Sequence, residues 1–125
     1  MFKIDNDKTI HLTRGNIASI DVTANNDDGT NYIFQAGDVV RLNVFKNKDC
    51  GCIELQKDVT VEAETETVEV NLTGEETRIG ELINKPSKYW YEIELNPDTN
   101  PQTIIGYDID GAKLFILYPE GGDKA

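Results

Sequence analysis

The chain has 125 residues, 38% of them hydrophobic, with 12 basic against 23 acidic residues and a net charge of −11. That length suits one domain around one core, residues 1–125, with no need of a metal or disulfide staple. The acidity argues against nucleic acid and anionic membrane surfaces as partners, because phosphate binding rests on Lys and Arg.

The first seven residues, Met1 to Asp7, hold no apolar run. No stretch approaches the roughly 20 apolar residues of a membrane span, so neither a secretory signal nor a spanning helix is expected. Thr9 to Leu12 reads as a first short strand, and Thr13-Arg14-Gly15-Asn16 as a bend. Ile17 to Ala24 alternates, with Ala18, Ile20 and Val22 inward. Asn25 to Asn31 is a loop around Asp28-Gly29, a hairpin signal. Tyr32 to Phe34 is a brief extended piece. Val39 to Phe45 is a strand with Val40, Leu42 and Val44 on the core face. Ile53 to Val61 follows, with a bulge or turn expected at Lys57-Asp58. Val68, Val70 and Leu72 alternate along the next strand.

The period then changes. Thr73 and Glu76 have the capping-box spacing, and Ile79, Leu82 and Ile83 fall at helical intervals, so one short helix is predicted over residues 74–83. Lys88 to Leu95 is the clearest strand. Tyr89, Tyr91, Ile93 and Leu95 take one face, and Lys88, Trp90, Glu92 and Glu94 the other. Asn96 to Pro101 is a loop. Thr103 to Asp108 and Ala112 to Tyr118 are expected to pair as a hairpin about Asp110-Gly111. The last strand is apolar on both faces, which implies cover on both sides. Residues 119–125 form a polar C-terminal tail. Eight or nine short strands with regular turns predict an all-β fold, and the single helical crossing favours an Ig-like β-sandwich of about eight strands.

Chemistry-bearing motifs are sparse. His11 is the single histidine and has no nucleophile motif beside it, so no catalytic residues are assigned. Cys50 and Cys52 flank one glycine, too close for an unstrained bridge, and are expected as two free thiols in a turn. Two cysteines and one histidine fall short of a zinc site, and no phosphate or dinucleotide loop is present, so neither metal nor cofactor is expected. Asp27, Asp28 and Asn31, like Asp108 and Asp110, could offer oxygens to calcium, yet Asp-Gly is what a hairpin turn requires. Glu92 and Glu94 share a strand face, the ordinary arrangement of a solvated surface. Trp90 stands out: a tryptophan among charges suits a protein interface or a sugar ring. Phe115 and Leu117, placed on the second face of the last strand, join it as candidate partner-binding residues.

Five segments together resemble the small β-sandwich domains of tailed-phage and prophage tail tips, such as the N-terminal domains of upper baseplate proteins. These are Leu12 to Ile17, Phe34 to Val40, Leu72 to Thr77, Tyr89 to Leu95 and Thr103 to Gly106. They span most of the chain, with Asn16-Ile17 in place of the Asp-Thr of the family's bend. The resemblance implies a non-enzymatic virion structural protein, a baseplate or tail-tip component made in the host cytoplasm. Its expected partners are other virion proteins and copies of itself. Such domains often continue into a stalk or receptor-binding region, so a chain ending at Ala125 reads as an adaptor or assembly subunit. A capsid decoration protein or a carbohydrate-binding module with Trp90 and tyrosines as stacking platforms are the alternatives.

Overall fold

The computed structural model describes residues 1–26, 28–47, 52–80, 85–106 and 111–119. Nine strands run in order: β1 Phe2–Ile4, β2 Ile10–Thr13, β3 Ala18–Val22, β4 Val39–Phe45, β5 Ile53–Thr60, β6 Val68–Leu72, β7 Ser87–Leu95, β8 Gln102–Ile105 and β9 Lys113–Tyr118. Seven of them form a mixed sheet in the order β1-β2-β9-β7-β4-β5, with β8 also on β7; β3 and β6 form a separate antiparallel ribbon. All pairs are antiparallel except β2 with β9.

Period-2 alternation explains which side chains are buried. Ala18, Ile20 and Val22 of β3 pair with Leu72, Val70 and Val68 of β6, so the ribbon turns one apolar face inward. On the large sheet Val40, Leu42 and Val44 face inward from β4, and Tyr89, Tyr91, Ile93 and Leu95 from β7. Both sets join one hydrophobic cluster with Ile10, Leu12, Phe34, Phe115 and Leu117. Tyr91 makes edge contact with Phe115 at 6.4 Å, and its hydroxyl donates to the Lys8 carbonyl at 2.6 Å. Burial, then the nearby Asp7 carboxylate, raises the Tyr91 phenol above its ordinary range.

Asn96 fastens the far end of β7. Its backbone takes φ 49°, a conformation that Asn tolerates better than most residues. Its side-chain oxygen accepts the Val39 N–H at 2.8 Å, and its amide donates to Asp38 at 3.1 Å. Burial alone would raise Asp38, but hydrogen bonds from the Gln35 N–H, the Tyr32 hydroxyl and the Asn96 amide outweigh it and hold the carboxyl low.

Four expectations are corrected. No helix forms among the described residues of the 74–83 segment, and residues 81–84, with Leu82 and Ile83, lie outside the described part. The capping box itself is present: the Glu76 N–H donates to Thr73 Oγ1 at 3.1 Å, and the Thr73 N–H donates to Glu76 at 2.9 Å. It closes one turn and no more. The buried guanidinium of Arg14 takes up the carbonyls of Ile79, Arg78 and Gly80, at 3.3, 3.4 and 3.4 Å, that a continuing helix would use. Gly80 has φ 73°, and a Cβ there would lie 2.5 Å from the Tyr89 hydroxyl. Thr77 completes the joint, donating to the Asn16 carbonyl at 2.8 Å and accepting the Gly15 N–H at 3.1 Å.

The second correction concerns the last two strands. β8 and β9 do not pair with each other; both lie antiparallel along β7, β8 against Ile93 to Leu95 and β9 against Ser87 to Tyr91. β8 and β9 therefore lie one after the other along the same edge of β7. Asp108 and Asp110 lie outside the described residues, as do Asp27 and residues 120–125 of the tail. Third, β5 runs unbroken through Lys57 and Asp58. The irregularity falls instead at Glu54, between the Val44–Leu55 and Phe45–Ile53 pairs. Fourth, Cys52 is disulfide-bonded, which overturns the reading as a free thiol; Cys50 lies outside the described residues. β1, three residues long, had no legible signal.

Candidate functional site

The large sheet has a second face, turned away from the ribbon, and the strand registers fix what it carries. Trp90 of β7 lies opposite Leu114 of β9 on one side and Phe45 of β4 on the other. Phe45 lies opposite Ile53 of β5. The four side chains form a row across four adjacent strands, about 14 Å long at the usual strand spacing. Ile53 is 47% exposed, and Trp90, Phe45 and Leu114 are half-buried. Ile116, the next outward residue of β9, widens the row toward Lys88 and His11. Of the other exposed large apolar residues, Met1, Ile17 and Ile33 stand outside the strands and Ile4 ends β1.

The ground on either side of the row differs in charge. Toward the start of β7 stands Lys88, exposed, and beyond Ile116 is His11. His11 is held between the Asp5 carboxylate at 2.7 Å and the Tyr118 hydroxyl at 2.8 Å. Its hydrogen bond draws Asp5 below the ordinary aspartate range. This chain ties the β1–β2 turn to β9, a structural use of the single histidine.

On the other side the face is acidic. Glu92 and Glu94 share the amide of Asn43, at 3.4 and 3.0 Å, and Gln56 donates to Asn43 Oδ1 at 2.8 Å. Arg41 is clamped by Asp58 at 2.7 Å and Asp98 at 3.1 Å, which hold its guanidinium charged. Burial first, then the charge of Glu94, raises Glu92 above the ordinary glutamate range. An acid whose pKa is raised by folding loses stability as it ionises. The cost is absent below the unfolded value near 4.5 and grows until the pH passes the folded value. Glu92→Gln keeps the hydrogen bonds of the protonated acid. It is expected to raise the thermal midpoint by about 2 °C at pH 7 and to change nothing at pH 3.5, in paired melting curves.

The three partner-binding candidates separate here. Trp90 lies on the outer face, as read. Phe115 and Leu117 do not: both are 0% exposed and face the core, opposite Tyr89 and Ser87 of β7 and Ile10 and Leu12 of β2. Leu114 and Ile116 are the outward pair. A strand apolar on both faces carries no internal signal of phase; only the neighbours' registers decide it. Tyr89 and Tyr91 also point inward, so neither serves as a platform beside Trp90. Phe45 and Ile53 were missed, although Phe45 shares the parity of outward Arg41 and Asn43.

A separate cleft of about 560 Å³ opens between the end of β3 and β8, lined by Lys8, Asp21, Asn26, Tyr32, Gln102 and Ile104 among others. Among the described residues no group of His, Cys, Asp and Glu could hold a metal ion, and no helix is long and apolar enough to cross a membrane. No protein-family model, curated protein or solved structure matches the chain.

Proposed function

We propose that the protein is a non-enzymatic structural component of a phage or prophage virion, an Ig-like β-sandwich of the baseplate or tail tip that acts by docking. It is made in the host cytoplasm and held in the particle. The observation that carries this reading is the apolar row Leu114–Trp90–Phe45–Ile53 on the outer sheet face. Aromatic and aliphatic groups at the centre of a face with a polar surround have the anatomy of a protein interface. The likeness to tail-tip domains in segments such as Leu72 to Thr77 and Tyr89 to Leu95 supplies the assembly.

Quantitative mass spectrometry of particles purified after induction of the source strain tests it. The chain is expected at a fixed ratio to the tail proteins, in the tail fraction after heads and tails are separated. Its presence in heads would make it a capsid decoration protein, and its absence from particles would end the virion reading. A glycan-binding module is the second reading, favoured by the polar cleft around Asn26 and Tyr32. A glycan array with the purified protein decides it: binding removed by Tyr32→Ala supports that reading, and an empty array rejects it.

A further inference from the structure

We infer that the outer face is self-complementary, and that two copies of this chain dock face to face about a two-fold axis running along the Leu114–Trp90–Phe45–Ile53 row. The inference deepens the docking reading above and rests on it. On β7 Lys88 stands two residues before Trp90 and Glu92 two residues after it, all three on the outer face. Each is about 7 Å from the row, on opposite sides. A two-fold axis lying along the row and in the plane of the interface keeps the row in place and exchanges its two sides. Trp90 then meets Trp90, Phe45 meets Phe45, and Lys88 of each copy meets Glu92 of the other.

Charge favours this occupant. The chain carries −11 overall, so random contacts between copies repel. On this face the exposed Lys88 and an acidic flank lie on opposite sides of an apolar centre. Lys88 is exposed and in no ion pair among the described residues, whereas Arg41 on the acidic side is already occupied by Asp58 and Asp98. Glu92 also gains: burial and then the neighbouring Glu94 disfavour its negative charge, and a facing ammonium offsets the repulsion from Glu94. An isologous pairing of this kind closes on itself and leaves no free copy of the patch. The face spans six strands, about 24 Å, by roughly 17 Å along them, a footprint of about 400 Å² per copy that falls short of a stable interface, so the dimer is weak and reversible.

Sedimentation equilibrium over about 1–500 µM tests the arrangement, with the full chain and three variants. The wild type is expected to shift from monomer to dimer. Lys88→Glu and Glu92→Lys each weaken the dimer about tenfold or more, because each reversal sets like charges opposite one another twice. The double variant, which exchanges the two charges, is expected to return to within about threefold of the wild type. Far-UV circular dichroism of each single variant matching the wild type shows that the loss of dimer is not a loss of fold. A monomer at every concentration, a trimer or larger ring, or a double variant no better than the singles would overturn the inference. None of these outcomes touches the particle composition that tests the virion reading.

Discussion

Phe115→Ala is expected to lower the unfolding free energy by about 3–5 kcal/mol, the range for emptying a fully buried aromatic site. Phe115 is 0% exposed, packs edge-on to Tyr91 and is flanked by Ile10 and Tyr89 in the two neighbouring strands. The backbone of β9 is held on both edges, by β2 and by β7, so the site has little freedom to collapse. Leu114→Ala, one residue away on the outer face, is expected to cost about 1 kcal/mol or less. Urea denaturation of the two variants at equal protein concentration measures the contrast. Equal costs would mean that the β9 register is wrong and that the inward and outward pairs must be exchanged.

The second large effect is expected at Arg14. It is 7% exposed and reaches the carbonyls of three consecutive residues, Arg78 to Gly80, across more than sixty positions of sequence. Truncation to Ala leaves those acceptors without their charged donor, at a cost of about 2–4 kcal/mol. The same change loosens the bend at Gly15 and Asn16, which Thr77 holds from the other side. Arg14→Lys is expected to recover less than half of the loss, because an ammonium on a flexible stem does not reproduce the planar fork. Denaturant midpoints for the two variants check this; an Arg14→Ala protein as stable as the wild type would remove the clamp from the account.

Where burial is one-sided, the strands are legible in the sequence. The alternation of Ala18 to Val22, Val39 to Phe45, Val68 to Leu72 and Tyr89 to Leu95 reappears as more and less buried positions in β3, β4, β6 and β7, broken only at Asn43, which is buried on the outer face. Three of the misreadings have a common cause: each depended on a partner remote in sequence. The Thr73–Glu76 box is a correct local signal, yet Arg14, far upstream, draws away the carbonyls that would extend the turn. Asp110-Gly111 reads as a hairpin turn, but β7 is long enough to receive β8 and β9 end to end. Leu114 to Leu117 could lie in either phase until β2 and β7 set it. The docking surface was half visible for the same reason. Trp90 could be singled out within its own strand, whereas the row through Leu114, Phe45 and Ile53 exists only once four strands are in register, with the irregularity at Glu54 turning Ile53 outward.

The most direct measurement uses the single tryptophan, which reports on this face alone. Acrylamide quenching of Trp90 fluorescence would be followed from nanomolar to several hundred micromolar protein. The account predicts a readily quenched, red-shifted emission when dilute. As copies dock, the emission should shift to the blue and the quenching constant fall severalfold. Quenching that stays constant over the whole range would contradict it, and would mean that the outer face is not where copies of this chain meet.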